Sequence, residues 1–323
     1  MKAKCTLKDV ALACGVSAYT VSRAMNDKKD ISKETKERIL EVAKEMGYVQ
    51  NVNAKNLRVG SSRNIAIIYD DFENPYYNYL IKKITYILSE NGYSVTLFYD
   101  LDSISILNTK LMNRVLSSNV DAIISFIYVT PSAKKLNSIW KKPIIQIGAP
   151  STENDISCFL LDNYSGGKII TNYLLERGHK KIGFINATEQ LVACLNRIEG
   201  YKAAHVEKGF AFNEDLIVHL HETDLDITDA TQLLIDKNCD SIICYNDISA
   251  LASLKYLHEN NLLNIEVCGF DNIKQSIPIP TPFPSVHGDT DVLVEESVNF
   301  LLERIKNPSD IIVNKVFDVK IYH

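Results

Sequence analysis

From Asn64 onward, short apolar runs rich in Ile and Val alternate with amphipathic stretches, and this alternation limits the fold more than any other feature. "NIAIIYD" leads into "NPYYNYLIKKITYILSENG", then "YSVTLFYD", an expected helix near 103–118, "VDAIISFIYV" and "KPIIQIG". A second set follows Asp162: "KIGFIN", a helix at 193–208, "LIVHL", a helix near 226–238, "DSIICYND" and "IEVCGFD". Strands that are apolar throughout are buried on both faces, which means parallel sheets covered by helices. Two such sets predict two doubly wound α/β lobes. In open sheets of this kind, small molecules bind beyond the carboxyl ends of the strands. The residues at those ends are Asp70, Asp71, Asn74, Tyr76 and Tyr77 after the first run, Asn246 and Asp247 after "SIICY", and Asp271 after "VCGF". Each has a plainer reading as well. Asp247 can cap a helix, Asn74-Pro75 can start one, the tyrosines can be core, and Arg197 can be a solvated surface charge.

The first sixty residues carry the opposite charge. They hold 12 Lys+Arg against 7 Asp+Glu, whereas the remainder holds 23 against 33. A basic block joined to an acidic body suggests a polyanion-binding head. In "LKDVALACGVSAYTVSRAMN", Leu7, Val10 and Ala11 share one helical face, and Gly15-Val16 supplies the break. Ser17 is placed to cap a second helix with Val21 and Met25 inward. Helix, Gly turn and helix make a helix-turn-helix pattern, although an ordinary helical hairpin fits it too. Ala18, Tyr19, Thr20, Ser22 and Arg23 fall on the outer face or near the N-terminus of the second helix, where such groups reach base edges and phosphates. "DISKETKERILEVAKEMGYV" reads as a third helix, capped at Ser32, with Ile39, Val42, Ala43 and Met46 toward the core.

Together, "TLKDVALACGVSAYTVSRAMN" and "ISKETKERILEVAKEMGYVQNVNAKNLR" resemble the DNA-binding head and hinge of the lactose-repressor (LacI) family of bacterial transcription regulators. The resemblance continues through "NPYYNYLIKKI", "DNYSGGKIITNYLLERGHKKIGFI", "NRIEGYKAA", "YNDISALASL" and "VCGFDN", so it spans nearly the whole chain. It implies that Ala18, Tyr19 and Arg23 read bases. Thr20, Ser22, Asn26, Ser32, Tyr48 and Asn51 contact or support the DNA backbone, and Thr6 and Ser17 complete the DNA-binding set. Residues 51–59 are implied to become helical on operator DNA, with Ala54 and Leu57 at the minor groove. A segment so short, with Asn51, Asn53 and Asn56, is a marginal helix alone. The implied organisation is a head at 1–50, a hinge helix and linker at 51–62, and a body at 63–323. The body is expected to resemble periplasmic sugar-binding proteins, with lobe 1 at about 63–161 and 290–318 and lobe 2 at about 162–289 and 319–323. The implied effector set is Asp70, Asn74, Tyr76, Phe126, Arg197, His221, Asn246, Asp247 and Asp271. Gln50, Gly288 and Lys320 depart from the family pattern.

The expected function is thus a repressor that binds near-palindromic operator DNA as a homodimer and answers to a small-molecule effector, a sugar or sugar derivative. A nucleobase effector or a phosphorylated carrier-protein co-regulator is the nearest rival. A transport solute-binding protein is the rival of another class, and the basic head and the lack of an apolar signal-peptide core speak against it. No stretch reaches the ~20 apolar residues of a membrane span. Seven scattered cysteines form no secreted disulfide framework, and a cytoplasmic protein without cofactor is expected. His219 and His221 can share a strand face, but no third metal ligand accompanies them. No nucleophile elbow, phosphate-binding Gly loop or zincin pattern occurs, so an enzyme is not expected. The chain ends without a Leu heptad tail.

Overall fold

The computed structural model describes residues 5–27, 30–49, 61–99, 106–150, 155–187, 191–220 and 225–323. The expected hinge positions Asn51, Ala54 and Leu57, and His221 of the expected effector set, lie outside the described residues. The chain divides into two units, Met1–Ser62 and Arg63–His323.

The first unit holds α1 (Leu7–Cys14), α2 (Ala18–Met25) and α3 (Lys33–Glu45). Thr6 and Asp9 form a capping box that starts α1, and Gly15 ends it in the left-handed conformation at φ +65°. The Ser17 hydroxyl accepts the Thr20 N–H at 3.0 Å and starts α2. Ser32 caps α3 in the same way through the Thr35 N–H. The core is small: Val10, Ala11, Cys14, Val21, Ala24, Ile39 and Ala43 are buried, with Val42, Met25 and Tyr48 packed at its margin. Met46, expected inward, is instead 38% exposed. The chain turns at Gly47, the Tyr48 N–H returns to the Ala43 carbonyl at 2.8 Å, and Tyr48 takes the place against the core.

The second unit runs β1 (Asn64–Ile68), α4 (Pro75–Glu90), β2 (Ser94–Phe98), β3 (Ile106–Leu107), α5 (Thr109–Ser117), β4 (Ala122–Ser125), β5 (Tyr128–Val129), α6 (Pro131–Trp140), β6 (Ile144–Ile147) and β7 (Ser157–Leu161). It continues with α7 (Asn163–Glu176), β8 (Ile182–Asn186), α8 (Val192–Glu207), β9 (Ile217–His219), α9 (Ile227–Asp236), β10 (Ser241–Cys244) and α10 (Asp247–Glu259). Then come β11 (Glu266–Phe270), β12 (Ser285–Gly288), α11 (Thr290–Lys306), β13 (Asn314–Phe317) and β14 (Val319–Tyr322). The helix expected near 103–118 starts only at Thr109, after the short β3, because Asn108 accepts the Leu111 N–H and caps it there.

Two six-stranded sheets result, ordered β13-β7-β6-β4-β1-β2 and β14-β12-β11-β10-β8-β9. All pairs are parallel except β12 with β14. The first sheet packs α4 and α11 on one face and α5 and α6 on the other. The second packs α9 and α10 on one face and α7 and α8 on the other. Burial on both faces accounts for strands such as Ile65–Ile68 and Ile242–Cys244, in which every residue is buried. The body is a two-lobed α/β structure of doubly wound sheets, the fold class read from the alternation of apolar runs and amphipathic helices. Three passages join the lobes: β7 to α7, β12 to α11, and β13 to β14 through Asp318.

Candidate functional site

In the head, α2 presents the residues singled out by sequence. Tyr19 is 68% exposed, and its hydroxyl accepts from Arg23 Nη1 at 2.8 Å across one helical turn. The Arg23 guanidinium also pairs with Asp30. Ser17 and Thr20 share a hydroxyl contact of 2.9 Å, and the Asn26 side-chain amide donates to the Ser22 carbonyl at 2.6 Å. Ala18 packs partly against the head core, which keeps the start of α2 low and leaves Tyr19 outermost. Thr6 and Ser32 both act as helix caps, so their hydroxyls sit at the N-termini of α1 and α3. Arg38 Nη2 donates to the Cys14 carbonyl at 3.3 Å and ties α3 to the end of α1.

In the body, a cavity of about 450 Å3 lies between the lobes. Of the expected effector set, Asp70, Asn74, Tyr76, Arg197, Asn246 and Asp271 line it. Local structure places each one. Asn74 caps α4 by accepting the Tyr76 N–H at 3.0 Å, with Pro75 in the first helical position. Its amide reaches across the cleft to Asp271 Oδ2 at 3.4 Å. Asn246 caps α10 through the Ser249 N–H at 2.8 Å. Arg197 is held on four sides. Its Nε donates to Asn163 Oδ1 at 2.8 Å, Nη1 donates to the Tyr245 carbonyl, Nη2 lies 4.0 Å from Asp271 Oδ1, and the guanidinium lies 4.2 Å from the Phe270 ring centroid. The position of Arg197 is fixed from behind as well. A Cβ on Gly167 of α7 would fall 2.0 Å from the Arg197 carbonyl, and one on Gly200 of α8 2.0 Å from the Tyr164 carbonyl. The two helices therefore touch backbone to backbone beside the cleft.

Two expected effector residues sit elsewhere. Asp247 is buried inside lobe 2 and faces away from the cleft: Oδ2 accepts the Ile273 N–H at 2.9 Å and Oδ1 the Ser285 hydroxyl at 2.7 Å. The same Ser285 oxygen accepts the Asn272 N–H at 2.9 Å. Both carboxylate oxygens are thus used in stapling the turn that follows Asp271. That turn is tight, with Asp271 at φ +96° and Asn272 at φ +50°, both in the left-handed region. Nor is Asp247 the helix cap, since Asn246 fills that role. Phe126 belongs to the lobe 1 core, 5% exposed and 5.6 Å from the Tyr77 ring. It follows β4 at a strand end, but its side chain turns back under α4.

Burial tunes the charges here. It raises the Asp271 carboxyl above the ordinary range, against the opposing pull of Arg197 and Asn74. Asp247 is pushed up to about 8 by burial, with Asp271 adding to the shift. His287 is buried at the end of β12 with Nε2 2.8 Å from the Thr290 hydroxyl, and burial followed by the nearby Arg197 charge pushes it down to about 4. Asp289 caps α11 through the Asp291 and Val292 N–H groups. His219 lies 3.2 Å from the Asn186 amide, and no cluster of three or more metal-ligating side chains exists among the described residues. The cavity also takes in Asp71, Tyr77, Tyr99, Asn163 and Cys194. Tyr99 and Asn163 follow β2 and β7, so the strand-end rule that located Asp70 and Asp271 reaches them too.

Residues 62–278 match the family described as periplasmic binding proteins and sugar binding domain of the LacI family. Residues 6–51 match that of bacterial regulatory proteins of the lacI family. The chain is 28% identical over 309 residues to the HTH-type transcriptional repressor PurR of Histophilus somni, covering 93% of this chain and 92% of that one. It is 28% identical over 318 residues to the repressor of the same name from Vibrio campbellii, covering 94% and 92%. The Lac repressor dimer bound to operator and the anti-inducer ONPF has the same fold at a TM-score of 0.82 and 19% identity, over 99% of this chain and 98% of that one. A complex of the transcriptional regulator CelR with cellobiose aligns at 0.69 and 24% identity, over 99% of each chain. A regulator from Enterococcus faecium with bound ribose aligns at 0.70 and 20% identity, over 80% of this chain and 97% of that one. With a helix-turn-helix head whose second helix carries Tyr19 and Arg23 outward, and a two-lobed body around a polar cleft, the chain belongs to the LacI family of DNA-binding transcriptional regulators.

Proposed function

We propose that the protein is a cytoplasmic repressor that grips a near-palindromic operator as a homodimer, and that a sugar or sugar derivative in the interlobe cleft changes that grip. In this reading Ala18, Tyr19 and Arg23 read base edges. Thr6, Ser17, Thr20, Ser22, Asn26, Ser32, Tyr48 and Asn51 hold the DNA backbone, while Ala54 and Leu57 enter the minor groove. Asp70, Asn74, Tyr76, Arg197, Asn246 and Asp271 hold the effector. The observation that carries the sugar assignment is the make-up of the cleft: three carboxylates to accept from hydroxyls, asparagines beside them, and Tyr76, Tyr77 and Tyr99 to cover an apolar ring face. A nucleobase is the second reading, because the repressors matched over more than nine-tenths of this chain carry the name PurR. Purine ring nitrogens and carbonyls mostly accept, and a lining richer in acceptors suits them less than it suits hydroxyls.

An effector changes regulation only by binding one arrangement of the lobes better than the other. Genomic fragments retained by the purified protein should therefore share a two-fold symmetric footprint, and D-ribose, cellobiose or hypoxanthine should shift the retained fraction. Absence of any symmetric footprint would overturn the operator assignment. A response to hypoxanthine alone would replace the sugar with the nucleobase.

A further inference from the structure

We infer that Asp30 is a specificity residue of the head: it stays paired with Arg23 on DNA and holds that side chain in the pose that reads a base. The inference rests on the reading of Arg23 as a base contact, and goes beyond it by naming the residue that aims the contact.

Arg23 stands on α2 with its guanidinium held from two directions. Nη1 donates to the Tyr19 hydroxyl at 2.8 Å, and Nη2 pairs with Asp30 Oδ1. The guanidinium carbon also lies 5.3 Å from the centroid of the Tyr19 ring. Nε is buried, and the side chain is only 29% exposed although it belongs to the outer row of the helix. Arg23 is thus laid against its neighbours before any DNA arrives. Each Nη nitrogen carries two N–H groups and each partner takes one, so an N–H on either nitrogen is left to donate. Two donors on one rigid plane are what the O6 and N7 atoms of guanine accept. Pairing with Asp30 and reading a base are therefore compatible on one guanidinium.

Asp30 is itself held from both sides of the chain. Ahead of it, Asp27 takes the left-handed conformation at φ +52° and pairs with Lys36 of α3. Behind it, Ile31 packs against the head core, and Ser32 caps α3 through the Thr35 N–H. The place of the carboxylate is thus set by the connection between α2 and α3. A surface ion pair contributes little to stability. What this one contributes is order. A long arginine gives up rotamer freedom when it meets a base, and one already held gives up less. The same carboxylate also repels phosphate. The two effects are separable, because repulsion acts on every duplex alike and aim acts only on a duplex that offers the right base.

The test is fluorescence anisotropy of the full-length protein on two probes: the duplex that the wild type selects from a random pool, and the unselected pool itself. The ratio of the two dissociation constants reads discrimination, and the charge removed by Asp30→Asn cancels in it. Asp30→Asn should lower the ratio about three- to tenfold, the range for one side chain ordered in advance. Arg23→Ala should lower it further, because the base contact itself is gone. Adding Asp30→Asn to Arg23→Ala should then leave the ratio where it is, since a residue that acts through Arg23 has nothing left to aim. An equal change on both probes in Asp30→Asn makes the carboxylate a general charge and overturns the inference, while a loss in Arg23→Ala keeps the base reading. A fall in the ratio that Asp30→Asn still causes without Arg23 overturns the inference too. If Arg23→Ala leaves the ratio unchanged, or the wild type selects no sequence, the base reading fails and the inference with it.

Discussion

On α2 of the head, Tyr19 stands 68% exposed with Arg23 beside it, while in the body the side chains of Arg197 and Asp271 are only 12% and 11% exposed. The head keeps its polar chemistry outside a core of seven small buried residues, and the body folds its own into the seam between two sheets. An exposed group keeps its water, so its identity is free to follow the DNA. A buried charge must be matched atom by atom, and the backbone has to be shaped to do it. The left-handed turn at Asp271 and Asn272, stapled by Asp247 and Ser285, is such shaping. Mutations should therefore separate in the two units. In the head, an outward side chain such as Arg23 affects binding without stability, and a cap such as Ser17 affects the helix it starts. In the body both go together.

The largest expected effect concerns pH. Asp247 in the folded body holds its proton up to about 8, whereas its ordinary value is 3.8. Between those values the unfolded chain has released a proton that the folded chain retains, so stability falls as pH rises, by up to about 1.4 kcal/mol per pH unit. His287, lowered to about 4 from 6.5, works in the other direction, and its contribution is lost as pH falls from 6.5 toward 4. Of these two groups, Asp247 is the one whose limb falls between pH 6.5 and 8. Melting of the body should drop across that interval and flatten in Asp247→Asn. The shifted carboxylates of the head, Asp9 and Asp27, are lowered, so their contribution is lost only on acidification. An unchanged slope in Asp247→Asn would show that this carboxyl is ionised in the fold.

Next in size is Gly200→Ala. Its Cβ would meet the Tyr164 carbonyl, forcing α7 and α8 apart at a cost of about 2–3 kcal/mol. Because Arg197 and Asn163 ride on those helices, effector response should fail along with the loss in melting temperature. A variant of wild-type stability would mean that the helices have room to part.

Arg23→Ala should weaken specific operator binding by about 1–3 kcal/mol and leave the body's melting unchanged. A gel-shift titration at two salt concentrations reads this, since the loss should appear on specific DNA more than on random DNA. Equal losses on both would reduce Arg23 to a phosphate contact. The smallest effect is expected for Ser17→Ala, which removes the cap of α2 and should destabilise the head by about 1 kcal/mol. Circular dichroism melting that shows no change would mean the Thr20 N–H finds another partner.

How well each feature could be read from sequence follows the same division. Capping serines, the Gly15 turn and the outward row on α2 are local, and the amino-acid order places them without reference to anything distant. The strands of the body are equally plain, because burial on both faces leaves them apolar throughout. Strand-end residues such as Asp70 and Asp271 follow from the parallel sheet. What sequence did not reveal is direction. Asp247 and Asn246 are adjacent at the start of one helix, and the positions of Ile273 and Ser285, 26 and 38 residues later, turn one inward and leave the other at the cleft. Phe126 was misplaced for the same reason, since its packing partner Tyr77 lies on a distant helix. Met46 failed because the helical period was carried one residue past the end of α3 at Glu45.

The three passages between lobes bear on how the chain is made. Lobe 1 takes α11 into its core and β13 onto its sheet edge, and lobe 2 takes β14, so both sheets draw their last strands from residues 314–322. A ribosome releasing the protein from its N-terminus delivers the head first, and its contacts are all short in sequence. Both halves of the body remain incomplete until the final strands emerge, exposing apolar faces that α11 and the two edge strands later cover. Closing loops as long as that from β7 to β13 makes this a late and slow step. Nascent chains stalled shortly before residue 314 would therefore carry a formed DNA-reading head on a body dependent on chaperones.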